Sequence, residues 1–161
     1  MYDIDNAVSP PESFVIILEV TPPGQHAKII IPTAISLGIV IADIIKKFSN
    51  VQYLTCINSV GNALQVDIDT ECGVIKPKDG LGGFGGCDVL PVALSNVYQF
   101  KKLLPNLDII GCGGIKTGED VFKHLLVGAS FVQIGTTLNR EGLSCINRIL
   151  NELELIMLKK G

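Results

Sequence analysis

Two glycine-centred runs stand out chemically: Ile109-Ile110-Gly111-Cys112-Gly113-Gly114-Ile115 and Gln133-Ile134-Gly135-Thr136. Each follows a short apolar stretch that reads as a strand. Glycine has no Cβ, so backbone N–H groups beside it can approach an anion closely. A helix opening after the turn adds a favourable dipole. The chemistry this suits is phosphate binding. A glycine pair alone also makes a tight turn without a ligand, so the weight rests on two such turns following successive strands.

A third run, Lys76-Pro77-Lys78-Asp79-Gly80-Leu81-Gly82-Gly83-Phe84-Gly85-Gly86, sets five glycines beside two lysines. It reads as a mobile, backbone-exposing loop with local positive charge. It is not a P-loop, because no Gly-Lys-Ser or Gly-Lys-Thr closes it. A fourth run, Thr55-Cys56-Ile57-Asn58-Ser59-Val60-Gly61-Asn62, clusters two amides and a hydroxyl at a strand end. Such groups can both donate to and accept from a planar, carbonyl-rich ligand. They can equally cap a turn.

Other chemistries are disfavoured. The five cysteines, Cys56, Cys72, Cys87, Cys112 and Cys145, are odd in number, and no C-x-x-C pair occurs. His26 and His124 lie far from any cysteine cluster, so neither a disulfide framework nor a metal site is expected. Free or buried thiols in a reducing cytosol are the reading, which makes the expected location cytoplasmic. The net charge is −3, and no basic stretch alternates with aromatics, so no nucleic-acid partner is expected. The apolar stretch 29–45 is interrupted by Pro32, Thr33, Ser36, Gly38 and Asp43, which argues against a membrane helix. The start, Met1-Tyr2-Asp3-Ile4-Asp5, is acidic and lacks the pattern of a signal peptide.

The elements that must position these runs alternate. Ala27 to Ile31 reads as a strand ended by Pro32, Ala34 to Phe48 as a helix with Lys46-Lys47 in its last turn, and Tyr53 to Ile57 as a second strand. A polar excursion carries Val66 to Ile68 and Gly73 to Ile75, which read as a small hairpin. Pro91 to Leu104 is a helix with proline in its first turn. Asp108 to Ile110 is a strand, and Thr117 to Val127 a helix with Thr117 as N-cap and acidic residues following. Phe131 to Ile134 is a strand, and Glu141 to Leu158 a long closing helix. Ser9-Pro10-Pro11-Glu12 and Pro22-Pro23 break up the first segment.

Four strand–helix units in a row imply parallel strands with right-handed crossovers. With 47% hydrophobic and 18% charged residues, the chain is too apolar to be disordered. The fold expected is α/β, as part of a (β/α)8 barrel. A complete barrel needs at least about 200 residues. At 161 residues, 1–161 reads as one partial barrel domain of about four units.

The runs T-C-I-N-S-V-G-N, V-I-K-P-K-D-G-L-G-G-F-G-G, P-V-A-L-S-N-V, I-I-G-C-G-G-I-K-T-G-E-D and V-Q-I-G-T occur here in sequence. In order and spacing they resemble the class 1A dihydroorotate dehydrogenases from about Leu54 to Met157. Before that the resemblance is weaker, carried by Tyr2-Asp3-Ile4-Asp5 and Glu19-Val20-Thr21-Pro22. The resemblance implies the C-terminal half of an FMN-binding barrel. That enzyme oxidises dihydroorotate to orotate in pyrimidine synthesis, as a cytosolic homodimer with fumarate as electron acceptor.

By motif position, the resemblance implies that Asn58 and Ser59 bind the orotate ring and carboxylate. Ile57 and Gly86 would line the flavin, and Gly113, Gly114, Gly135 and Thr136 would hold the FMN phosphate. Two departures accompany it. Ile30 stands where the family has a flavin-contacting lysine, with Lys28 on the same strand face two residues earlier. The family's cysteine base belongs to its N-terminal half, and none of the five cysteines here matches it. Cys112 is read as packing.

Open strand edges and exposed inner faces would favour association, with a second copy or with a complementary half barrel. Two readings remain: a dihydroorotate dehydrogenase, or a noncatalytic fragment of one that at most binds a phosphate. A different flavin barrel, such as a dihydropyrimidine-oxidising domain, shares the I-G-C-G-G-I and I-G-T elements. The K-P-K-D-G-L-G-G-F-G-G run weighs against that reading.

Overall fold

Short continuous apolar stretches form the parallel sheet, as expected of strands covered by helices. The computed structural model describes residues 16–17 and 35–160. The elements are β1 (Ile16–Ile17), α1 (Ile35–Ile45), β2 (Tyr53–Cys56), β3 (Val60–Leu64), β4 (Val66–Asp67), β5 (Cys72–Gly73), β6 (Leu81–Phe84), α2 (Leu90–Leu103), β7 (Asp108–Cys112), α3 (Gly118–Leu126), β8 (Phe131–Gln133), α4 (Thr136–Glu141) and α5 (Ser144–Lys160).

The main sheet has the order β1-β8-β7-β2, and all its pairs are parallel. Its register matters for function. Cys56 pairs with Gly111, Gly111 with Val132, and Val132 with Ile16, so the C-terminal ends of β2, β7 and β8 finish level. The Ile57 N–H extends the ladder by donating to the Cys112 carbonyl at 2.7 Å. The loops after three strands therefore leave the sheet side by side.

Helical periodicity fixes what covers the sheet. In α2, Ala93, Asn96, Val97 and Phe100 fall at i, i+3, i+4 and i+7 and are all buried. Ala93, Val97 and Phe100 form one core with Leu54, Cys56 and Ile109. In α5, Cys145, Ile149 and Leu153 recur every four residues and pack with Val121, Leu125, Val132 and Ile134 in a second core. Burying each such Leu or Ile contributes roughly 1.5–3 kcal/mol. Gly118 lets α3 lie directly on α5, because a Cβ there would overlap the Leu153 backbone nitrogen. The Glu152 carboxylate, held by Arg148 at 2.9 Å, accepts the Gly118 N–H at 2.7 Å. At this same N-terminal end of α3, Thr117 and Asp120 form a capping box.

The structure revises several sequence expectations. Asp108 to Ile110 extends through Cys112. The helix read as Ala34 to Phe48 ends at Ile45, which leaves Lys46 and Lys47 in the turn beyond it rather than in its last turn. The closing helix read from Glu141 to Leu158 begins at Ser144, and a separate short helix that the sequence reading did not include, α4, precedes it. Gly142, at φ 71°, takes a left-handed conformation that ends α4 after Glu141, and α5 then runs to Lys160.

The hairpin read at Val66 to Ile68 and Gly73 to Ile75 forms as β4–β5, two residues per strand. The glycine loop is not simply loop. Leu81–Phe84 is a strand that pairs antiparallel with β3, with a register irregularity between Val60 and Ala63. The strand read at Ala27 to Ile31, with Lys28 and Ile30, lies outside the described residues. The fourth described strand is instead Ile16–Ile17, against the outer edge of β8. Among the described residues the sheet does not close into a barrel, and β2 has no neighbour on its outer side.

Candidate functional site

The loops at the aligned strand ends enclose a cleft of about 210 Å³. The loop after β2 supplies Ile57, Asn58 and Ser59. The segment after β6 supplies Gly86, the loop after β7 supplies Gly113 and Gly114, and the turn after β8 supplies Gly135 and Thr136. All eight residues singled out in the sequence line this one cleft. Sequence reasoning did not single out Gln133, which also lines it. Cys112, expected as packing, is half-buried and faces the cleft as well.

No lining residue carries a formal charge. Any anion held here is held by hydrogen bonds and backbone dipoles. The donors are available: among the described residues, the N–H groups of Gly113, Gly114 and Gly135 have no backbone acceptor. The neighbouring carbonyls, in contrast, are anchored. The Gly113 oxygen meets His124 Nε2 at 3.1 Å, and Thr137 Oγ1 donates to the Ile115 oxygen at 2.6 Å.

The glycines divide into two kinds. Gly113 and Gly114 have φ of 125° and 80°, and a Cβ on Gly114 would lie 2.7 Å from the Leu90 nitrogen. They are required by the fold. Gly86 and Gly135 would meet nothing within 4 Å, so their missing side chains leave open space, although Gly86 at φ 89° is also held to glycine by its backbone and only Gly135 is free of both constraints. Close backbone turns beside open space are what a phosphate cradle needs.

Asn58 Oδ1 accepts the Ser59 N–H at 2.8 Å, which fixes the side chain and leaves its amide NH2 without a protein acceptor among the described residues. Ser59 packs against Gly83, where any Cβ would collide with its hydroxyl. The hairpin of β3 and β6 thus sets where Ser59 stands.

Of the two buried groups beside the cleft, His124 is fully buried, and desolvation holds its pKa below the ordinary 6.5 against the Gly113 hydrogen bond and the Asp120 charge. Burial, helped by neighbouring Cys112, pushes the Cys56 thiol up to about 12, so it stays protonated and inert. Neither His124 nor Thr137 was found from the sequence. The available signal for His124 was a polar residue on the same helical face as Val121 and Leu125. Among the described residues, no group of three or more His, Cys, Asp or Glu could hold a metal ion. Among the described residues, no helix is long and apolar enough to cross a membrane.

Residues 29–157 match the family profile of dihydroorotate dehydrogenase. The chain belongs to that family. It is 48% identical over 120 residues to the dihydroorotate dehydrogenase (fumarate) of Trypanosoma cruzi, covering 74% of this chain and 38% of that one. It is 50% identical over 123 residues to dihydroorotate dehydrogenase A (fumarate) of Lactococcus lactis, covering 76% and 39%. The chain therefore spans less than half the length of these relatives. Among solved structures, that of DHODH from Eimeria tenella in complex with ferulenol is similar with a TM-score of 0.63 at 25% identity, covering 80% of this chain and 32% of that one.

Proposed function

We propose that this chain is the C-terminal half of a (β/α)8 dihydroorotate dehydrogenase barrel, one that uses FMN to oxidise dihydroorotate to orotate with fumarate as acceptor. One observation carries the reading: all eight motif residues meet in one uncharged cleft at the C-terminal ends of parallel strands. In barrels of this kind that face carries the site, and the loops after the last two strands hold phosphate.

The residues fit FMN in type and placement. Gly113, Gly114, Gly135 and Thr136 would hold its phosphate by backbone N–H groups, with Ile57 and Gly86 against the ring system. Asn58 and Ser59 would take the substrate's ring and carboxylate, the Asn58 amide donating to a carbonyl or carboxylate oxygen. When bound, the flavin supplies the hydride chemistry, and the protein supplies position and electrostatics. The cleft of about 210 Å³ is smaller than the roughly 300–1,000 Å³ of an ordinary ligand pocket, so it suits part of such a ligand.

The chain by itself does not turn over dihydroorotate. It spans 38% of the length of its Trypanosoma cruzi relative, and the cleft-lining residues include no histidine, carboxylate or lysine to serve as a general base. Purified chain titrated with FMN and then assayed for orotate tests both parts. FMN binding without turnover is the expected result. Robust orotate production would overturn the claim of inactivity. No binding of FMN or inorganic phosphate would favour the alternative, a noncatalytic fragment.

A further inference from the structure

We propose that His124, as a neutral ring with its proton on Nε2, is a positioning residue that fixes the Gly113–Gly114 turn with its amides free for an anion. The proposal rests on the phosphate-binding reading of the cleft and adds a residue outside it.

The geometry sets the tautomer. His124 is 0% exposed, and its Nε2 lies 3.1 Å from the Gly113 carbonyl oxygen. A carbonyl can only accept, so Nε2 must carry the proton. The other nitrogen, Nδ1, is buried without a partner among the described residues. With the proton on Nδ1 instead, a buried donor would be orphaned and two acceptors would face each other, the costlier arrangement. Gly111 makes room for the ring: a Cβ there would overlap Nδ1. Histidine on α3 and glycine on β7 are thus fitted to one another beneath the turn.

The consequence follows from peptide planarity. The Gly113 carbonyl and the Gly114 N–H belong to one trans plane and point in opposite directions. Holding the carbonyl against His124 therefore turns the Gly114 N–H away from α3. That N–H has no backbone acceptor among the described residues, and Gly114 lines the cleft. At positive φ on both glycines, the plane has little else to oppose its flipping. Removing the imidazole donor frees the plane to rotate.

The test compares the full chain with H124L, which removes the donor at similar bulk, and H124Q, whose amide reaches about as far as Nε2. Long-range nitrogen–proton NMR of the wild type reads the tautomer directly. Titrations with FMN and with riboflavin read the phosphate contribution separately from the ring. The expected results are the Nε2–H tautomer, about a tenfold loss of FMN affinity in H124L with riboflavin affinity unchanged, and recovery of most of that affinity in H124Q. An Nδ1–H tautomer, or equal losses for FMN and riboflavin in a folded H124L, would overturn the proposal.

Should the wild type bind neither FMN nor inorganic phosphate, the phosphate-binding reading fails by itself. The His124 claim is then judged on the tautomer and on the Gly114 amide, whose shift and exchange rate must change in H124L and return in H124Q. Should H124L not fold, the tautomer and H124Q decide.

Discussion

Thr137 Oγ1 donates to the Ile115 carbonyl oxygen at 2.6 Å, both groups being buried, and so ties the turn after β8 to the turn after β7. The two turns come from different βα units, 22 residues apart, yet one hydroxyl sets their spacing. Substituting Thr137→Val keeps the shape and orphans the Ile115 carbonyl. The expected cost is about 1–3 kcal/mol of stability, with weaker FMN binding. Thr137→Ser restores the donor and should recover both. Urea unfolding and FMN titration of the two variants check this. A Thr137→Val protein with wild-type stability would show that the hydroxyl contributes nothing.

The two kinds of cleft glycine separate fold from binding. Gly114→Ala would place Cβ against the Leu90 backbone at a φ of 80°. The left-handed conformation costs roughly 1–2 kcal/mol, and overpacking adds about 1–3 kcal/mol. Gly135→Ala meets nothing within 4 Å, so stability should stay within about 0.5 kcal/mol of wild type. Its methyl projects into the space proposed for the phosphate, so FMN affinity should fall. Thermal melts alongside flavin titration distinguish the two. Equal melting losses in both variants would contradict the division.

How far the sequence showed this site depends on whether the signal is local. Pro91 and the buried spacing of Ala93, Asn96, Val97 and Phe100 define α2 from within one helix, and Thr117 with Asp120 marks the start of α3. Ile57 and Gly86 were named through the family resemblance, whereas the glycines and amides after β2, β7 and β8 were legible as lining a common cleft because such residues sit at strand ends in the chain itself. Strand β6 was not. Its Leu81-Gly82-Gly83-Phe84 has low intrinsic strand preference and forms by pairing with β3 and packing Gly83 on Ser59. The separate helix α4 and the later start of the closing helix depend on a left-handed glycine at 142, which ends α4 after Glu141. The pairing of Ile16–Ile17 with β8, and the anchors His124 and Thr137, depend on contacts between distant segments.

Burial of His124 makes stability pH-dependent. Its folded pKa lies below the ordinary 6.5, chiefly through desolvation, so the unfolded chain binds the proton more readily. The neutral ring's contribution is therefore fully present above about pH 6.5 and is lost as pH falls toward the folded value. The lowered carboxylates Asp67 and Glu152 act below their ordinary 3.8 and 4.5, outside this window. Urea midpoints measured between about pH 7.5 and pH 5 should fall for the wild type and stay flatter for H124Q. Parallel slopes in the two proteins would remove His124 as the cause.

The five thiols report on the cleft without any enzyme assay. None is in a disulfide; Cys72 and Cys87 are exposed, Cys112 is half-buried in the cleft wall, and Cys56 and Cys145 are buried. The thiolate is the reactive form, and Cys56, pushed up to about 12, is protected by protonation as well as by burial. Alkylation followed by peptide mass spectrometry should label Cys72 and Cys87 first, Cys112 more slowly, and Cys56 and Cys145 only after denaturation. FMN seated against Gly113 and Gly114 covers the neighbouring Cys112, so saturating FMN should slow labelling there and leave Cys72 and Cys87 unchanged. Riboflavin at equal occupancy should protect less if the phosphate is what lies beside Cys112. Labelling of Cys112 that ignores bound FMN would place the flavin elsewhere and overturn the assignment of this cleft.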